Sequence, residues 1–370
     1  MKSSLENMNI ALVHDWLTNV AGAEKVLLVL KEIFPKAPIY TSVFDSKKAK
    51  PFTKFDIRTS YLNNWPFFKS QRELLVPYSP GAFENFDLSS FDLVISNTTF
   101  AAKGVITKPD SVHICYCHTP ARYLWEPELD PRSDKGYLSG LRKRTAHKLR
   151  IWDKVASDRP DYYFANSKYI SKRIKKYYGR DSIVIYPPVD VDQFVPGDQE
   201  KVQDYYLFVS RLIGYKKCDI VIRAFNKLGL PLKIIGSGPE KKYLQKIAKD
   251  NIEFLGFLDD VELKKYYSQA KAFIFAAEED FGIVPVEAMA SGRPVIAYGR
   301  GGATETVVEG KTGLFFSQQT AESLINTVKK FDSKKFDSKI IRQQAEKFST
   351  ERFKKEFREE VEKIINKKLT

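Results

Sequence analysis

The sequence predicts an α/β protein built from two parallel-sheet domains, and three observations carry that expectation. Short strand-like runs bounded by turn residues recur along the chain in two series of six, with amphipathic helical stretches between many of them. The runs are nearly all apolar, as strands are when crossover helices cover both faces of a sheet. A length of 370 residues exceeds what one core ordinarily fills, which makes two domains the leading expectation.

The first series comprises residues 10–13, 39–44, 93–95, 112–117, 162–165 and 183–185. Gly22 follows its first strand, where a loop opens a helix and a residue without a side chain lets backbone approach a ligand. Residues 186–197 hold three prolines within ten positions, which forbids a helix and marks an extended connector. The boundary falls there, giving a first domain over 1–187 and a second over 188–347. The second series is 206–209, 232–235, 252–255, 272–275, 294–297 and 314–316. A tail over 348–370 sets Phe353, Phe357, Val361, Ile364 and Ile365 on one helical face, which predicts a helix packed back on the body. Sheets of this kind bind ligands at the carboxyl ends of their strands, so chemistry is expected in a cleft there.

Composition excludes other classes. With 43% hydrophobic and 29% charged residues the chain lies far from disorder. Cys115, Cys117 and Cys218 are odd in number with no C-x-x-C pair, which argues against a disulfide framework or zinc ribbon and fits a reducing compartment. Charges break up the first fifteen residues, unlike a signal peptide, and no apolar run approaches the roughly twenty residues that cross a bilayer. A cytoplasmic protein is expected. Lys and Arg number 60 against 46 Asp and Glu, a net charge of +14, biasing the surface toward phosphates, nucleic acid or anionic lipid. Much of the excess sits in 141–180, where 13 Lys and Arg stand against three Asp, with Tyr162, Tyr163, Tyr169, Tyr177 and Tyr178 interleaved. That stretch reads either as a solvated helical face or as a surface for anionic lipid. No RNP-like or zinc-finger signature supports nucleic-acid binding.

The most informative stretch is 278–297, where a strand leads into a polar loop with Gly282, a helix and another strand, and Glu279 and Glu287 stand eight apart. With a helix opening near Gly282, the backbone N–H groups of Phe281, Gly282 and Ile283 lie at its positive end, suited to hydroxyl or phosphate oxygens. Glu287 sits about one turn inside, where a carboxylate can accept from ribose hydroxyls. The plainer reading is that Glu278, Glu279 and Asp280 simply favour a helix start. His118 ends the strand 112–117. His113, Cys115, Cys117 and His118 form a conceivable metal set, but buried cysteines as small apolar residues are the usual explanation. Asp190 and Asp192 fall in the proline connector and read as turn chemistry, so no metal is assigned.

These segments resemble the retaining family 4 glycosyltransferases, whose E-x7-E signature matches Glu279 and Glu287 and whose fold is GT-B, two Rossmann-like domains facing a central cleft. Residues 13–17 with 22–26, 116–123, 186–190, 210–212 with Lys216 and Lys217, and 301–305 resemble family blocks in family order. The first three are most similar to bacterial enzymes of O-antigen and surface-polysaccharide synthesis, many of them mannosyltransferases. The resemblance implies that Arg211 and Lys217 hold the donor diphosphate and that Gly22 approaches it, although Ala21 and Ala23 stand where the family often has a second glycine. Gly236 would line the nucleotide side, Phe257 and Leu258 would meet the base, and His118 would touch the donor sugar. Glu279 would hold that sugar and steady charge at its anomeric carbon. The implied reaction is front-face transfer with retention, the leaving diphosphate helping to deprotonate the acceptor, with no metal or cofactor. Implied partners are a nucleotide sugar, GDP-mannose foremost, a polyprenyl-diphosphate-linked glycan, and the inner face of the cytoplasmic membrane met through 141–180. Rival readings are a UDP-sugar-dependent transferase, an epimerase or phosphorylase on the same fold, a silent nucleotide-sugar binder and a nucleic-acid-binding protein.

Overall fold

The computed structural model describes residues 4–65, 67–70, 74–126, 139–197 and 199–369. Residues 1–3 and 370, the outer limits of the expected first domain and tail, lie outside the described residues, as does the side chain of Leu141 at the start of the basic stretch. The chain forms two compact units, one of residues 1–188 with 353–370 and one of 189–352.

The first unit is built on seven parallel strands: β1 (Ile10–His14), β2 (Ile39–Thr41), β3 (Ile57–Thr59), β4 (Leu93–Thr98), β5 (Val112–Cys117), β6 (Tyr162–Ala165) and β7 (Ile183–Val184). Their order is β3-β2-β1-β4-β5-β6-β7. Alternation along the strands feeds separate cores on the two faces. Leu12, Leu93, Ile95, Val112, Ile114 and Tyr116 enter one, whereas Ala11, Val13 and Val94 enter another. Cys115 and Cys117 pack with Ile170 and Ile174 of the helix Lys168–Tyr178, as small apolar residues do. The terminal helix Thr350–Leu369 completes the first face: Phe353, Phe357, Val361, Ile364 and Ile365 are all buried there, with Phe357 edge-on to Phe164 at 5.2 Å.

The second unit has six parallel strands: β8 (Tyr206–Val209), β9 (Leu232–Ile235), β10 (Ile252–Gly256), β11 (Ala272–Phe275), β12 (Val295–Tyr298) and β13 (Gly313–Phe316). Their order is β10-β9-β8-β11-β12-β13. Phe208, Ile234, Ile274 and Ile296 build a core with Val221, Ile222 and Phe225 of the helix Cys218–Leu228.

All twelve expected strands are present, and β3 is an addition. It is a three-residue edge strand, Ile57-Arg58-Thr59, without a fully buried position, so its hydrophobic pattern is faint. β2 is shorter than expected because the Ser42 N–H turns to the carbonyl of Asp15 and leaves the ladder. Each sheet reverses its winding once, between β1 and β4 and between β8 and β11, and such switch points are where open α/β sheets leave a crevice for ligand.

Candidate functional site

Chemistry-bearing residues gather at both switch points. In the second unit, the loop after β8 carries Ser210, Arg211 and Leu212 and then a single turn Gly214–Lys216. The loop after β9 is laid directly on it. Leu212 N–H donates to the Ser237 carbonyl at 2.9 Å, and a Cβ on Gly236 would lie 1.9 Å from Ser210 O. Only glycine permits that approach, and its φ of 138° excludes other residues independently. The loop after β11 is held from its other side, where Gly302 N–H donates to Glu279 O at 2.8 Å and a Cβ on Gly302 would meet Phe281 Cα at 2.2 Å. Backbone packing therefore fixes where the Glu279 side chain starts.

Across the switch point, Lys216 Nζ forms an ion pair with Glu279 Oε1, the two side chains 14% and 19% exposed. Arg211 is exposed on the same loop, two residues beyond β8. Lys217 follows at φ 57°, a left-handed conformation unusual for a residue with a side chain, where it caps the helix Cys218–Leu228. Sequence reasoning assigned the phosphate-holding role to Lys217 within the Lys216-Lys217 pair, whereas it is Lys216 that meets Glu279. Which of two adjacent lysines meets Glu279 is set by the backbone of this turn, which residue type alone cannot resolve.

The helix Ile283–Ala290 opens at Gly282, which takes φ 84°. Phe281 is buried, its ring packed against Phe348. Ile283 begins the helix, and Glu287, half-buried inside it, accepts from Tyr267 Oη at 3.2 Å. Burial, with the Glu287 charge beside it, pushes the Tyr267 hydroxyl well above the ordinary tyrosine range and keeps it a donor. Leu258 is half-buried after β10, and Phe257 is 84% exposed, so it is not a core residue.

In the first unit the cluster centres on His118, which directly follows β5. Its Nε2 lies 2.7 Å from Asn97 Oδ1, at the carboxyl end of β4, and its carbonyl accepts from Asn166 Nδ2 at 2.9 Å. Asn97 also reaches back to the helix entry at Gly22, its Nδ2 donating to Ala23 O at 2.9 Å. Beside it His14 Nδ1 meets Asn97 O at 2.8 Å, and His14 Nε2 lies 3.5 Å from Glu24 Oε1. Burial would lower the His14 pKa, but the adjacent Glu24 carboxylate, with Asp15 and the Asn97 carbonyl, raises it above the usual value. Burial likewise opposes Glu24 ionisation and is outweighed by His14 and two backbone N–H groups, so the carboxyl is held low. Glu24 Oε2 takes the Ala21 N–H at 2.8 Å and fixes the loop carrying Gly22. Asp15, 2% exposed, accepts from Thr98, Thr99, Phe100, Ala101 and Ala102 and pins the turn after β4. The sequence singled out none of His14, Asp15, Glu24 and Asn97 as a site residue. Their one available signal was position, each at or just beyond a carboxyl strand end or in the first turn of the following helix.

His113 Nε2 bonds Ser96 Oγ at 2.9 Å, and burial with the Arg159 charge lowers its pKa to about 3, so it stays neutral. Among the described residues, no three His, Cys, Asp or Glu side chains group to hold a metal. The basic stretch divides in two. Arg173 is buried on Glu126, Arg159 bonds Glu84, and Asp153 of the helix Ser139–Ala156 forms a buried pair with Lys103, so these charges hold the fold together. Arg144, Lys148, Ile151 and Val155, spaced four, three and four apart, share an exposed face of the same helix.

Two family models match the chain in succession, Glycosyltransferase Family 4 over residues 20–193 and Glycosyl transferases group 1 over 192–348. Anabaena HepE, crystallised with UDP and glucose, superposes with a TM-score of 0.68 at 21% identity, covering 96% of this chain and 99% of its own. Sucrose-phosphate synthase from Thermosynechococcus elongatus reaches a TM-score of 0.76 at 18% identity over 97% and 100%. The chain has the GT-B fold of glycosyltransferases. Sequence relatives agree with that class but over less length. An uncharacterized glycosyltransferase of Methanocaldococcus jannaschii is 28% identical over 55% of this chain and 58% of its own length. A GDP-mannose-dependent alpha-(1-6)-phosphatidylinositol monomannoside mannosyltransferase of Mycolicibacterium smegmatis is 29% identical over 44% and 50%. The GT-B chain thus spans about half the length of the curated relatives it matches. No helix among its described residues is long and apolar enough to cross a membrane.

Proposed function

We propose that this protein is a retaining, metal-independent glycosyltransferase that moves a hexosyl group from a nucleoside diphosphate sugar to an acceptor hydroxyl. The observation that carries the reading is the Lys216–Glu279 pair across the β8/β11 switch point, with Arg211 on the same loop. Cations at that point neutralise charge that grows on a departing diphosphate, and a carboxylate beside them holds sugar hydroxyls and steadies positive charge at the anomeric carbon. Lys217, next in the chain, caps the helix Cys218–Leu228 and is assigned no part in holding the diphosphate. The backbone N–H groups at 281–283 and Glu287 suit the rest of the donor, Gly236, Phe257 and Leu258 its nucleotide, and His118 with the Gly22 loop its sugar and phosphates.

Mannose from GDP-mannose is the donor we favour, supported by the GDP-mannose-dependent activity for which the mycobacterial relative is named. The acceptor we infer is a lipid-linked glycan of bacterial surface-polysaccharide synthesis, met at the inner face of the membrane. The exposed cationic and apolar face of the helix Ser139–Ala156 supports that docking.

Thermal unfolding against GDP-, UDP-, ADP- and dTDP-sugars tests the donor without requiring an acceptor. A ligand at a hundred times its Kd stabilises the native state by about 2.7 kcal/mol. A selective shift with GDP-mannose supports the reading in full. A shift with a UDP-sugar, the nucleotide seen with HepE, keeps transfer and discards mannose. No shift with any of them overturns it. With donor and acceptor in hand, Glu279→Ala is expected to lower transfer by about a hundredfold or more with little change in unfolding temperature.

A further inference from the structure

We propose that Asn97 is a positioning residue that presents His118 as the Nε2–H tautomer and ties its ring to the Gly22 loop. The argument is one of donors and acceptors. Ala23 O is a carbonyl and can only accept, so the amide nitrogen of Asn97, 2.9 Å away, must face it. That orientation turns Oδ1 toward His118, and an amide oxygen also only accepts. The His118 Nε2 at 2.7 Å therefore carries a proton.

The amide is itself held from behind. His14 Nδ1 donates to Asn97 O, Glu24 stands against His14 Nε2, and Glu24 also takes the Ala21 N–H. Ala23, whose carbonyl Asn97 grips, is the neighbour of Glu24 in the chain, so the contacts close into a ring joining β1, β4 and the helix entry at Gly22. Its members are almost wholly removed from water, with His14 at 2%, Glu24 at 4%, Asn97 at 0% and His118 at 9% exposure. Buried hydrogen bonds of this kind reinforce one another and specify one arrangement. Asp15 fixes the following turn, and the His118 N–H donates to Thr98 O at 2.9 Å, so neither strand end can drift. A ring held this rigidly keeps one orientation, and its use in transfer rests on the proposed function, which sets His118 against the donor sugar.

The experiment reads the tautomer first and transfer second. The chain has four histidines, so the imidazole nitrogens can be resolved by long-range proton–nitrogen NMR of the full-length protein, with His118→Gln assigning its own signals. The wild type should show His118 protonated at Nε2 alone. Asn97→Ala should give an averaged tautomer, and Asn97→Asp, which keeps the shape but sets a carboxylate beside Nε2, should give an imidazolium. Either variant suffices should the other fail to fold, and the wild-type spectrum needs neither. A wild-type proton on Nδ1, or an Nε2–H signal unchanged in a folded Asn97 variant, overturns the proposal.

In transfer, Asn97→Ala should lower kcat at least about tenfold, with the donor KM within about threefold and no further loss on an His118→Ala background. A role confined to stability would add to the His118 effect and leave the tautomer untouched, which overturns positioning. A changed tautomer with unaltered transfer leaves the Asn97–His118 link standing and instead overturns the part given to His118 in the proposed function.

Discussion

At the residue scale, the pair Lys216 and Lys217 separates two roles that the sequence places side by side. Lys216 carries the contact to Glu279, while Lys217 carries backbone strain at φ 57°. Lys216→Ala is expected to reduce transfer by roughly a hundredfold, as removal of one charge-stabilising donor does. Lys217→Gly should retain most of it and raise stability by about 1 kcal/mol, because glycine adopts the left-handed region without steric cost. Steady-state rates with urea unfolding curves check both, and equal losses of rate in the two variants would refute the assignment. The sequence carried the E-x7-E spacing, the glycines and the terminal position of His118, all expressed in residue type and distance along the chain. It could not carry which of two lysines turns toward Glu279, nor that His14 and Asn97, 83 positions apart, become neighbours, because strand order decides that.

At the scale of the element, two packed pieces make separate claims. The first is β1 against the start of the helix Gly22–Ile33, joined by His14 and Glu24. His14 is raised above 6.5, so its contribution is complete below that pH and is lost as pH rises through the folded value. Glu24 is lowered beneath 4.5, so its contribution is complete above that pH and is lost as pH falls through the folded value. Both are in place between about pH 4.5 and 6.5. Glu24→Gln should therefore cost most there, about 3 kcal/mol for a buried pair stripped of one partner, and progressively less at higher pH. A stability difference independent of pH would show that the pair is not ionised. The second piece is the helix Ser139–Ala156, whose inner face is locked by Asp153 to Lys103, Trp125 and Tyr178. Composition counted all of 141–180 as available charge, whereas packing removes Arg159 and Arg173 from it. Replacing Arg144 and Lys148 by Ser should weaken binding to anionic vesicles by about 1 kcal/mol per charge, and replacing Arg173 should instead impair folding. Vesicle sedimentation with unchanged binding in the double variant would remove this face as the docking surface.

At the scale of the whole molecule, the two units close on themselves in different ways, and the difference can be measured. The second unit is continuous in sequence, and its ends are tied together. Val189 N–H donates to Phe348 O at 2.9 Å, and Arg342 reaches Val191 O at 2.6 Å and Ala290 O at 3.0 Å. Residues 189–352 alone should therefore unfold cooperatively in urea. The first unit is discontinuous: one face of its sheet is finished by Phe353, Phe357, Val361, Ile364 and Ile365, which follow the whole second unit in the sequence. Loss of a buried Phe costs about 3–5 kcal/mol and of an aliphatic side chain about 2–5, so losing five matches or exceeds the roughly 5–15 kcal/mol that ordinarily holds a domain together. Residues 1–188 alone should thus retain helical signal while lacking a near-ultraviolet spectrum and a sharp transition. Co-expression with a peptide of residues 350–370 should restore both, and Phe357→Ala in that peptide should weaken the rescue, since its ring touches Phe34, Tyr116 and Phe164. Cooperative unfolding of 1–188 without the peptide would mean that the terminal helix covers a core already stable without it, and that the first unit ends where the proline connector begins.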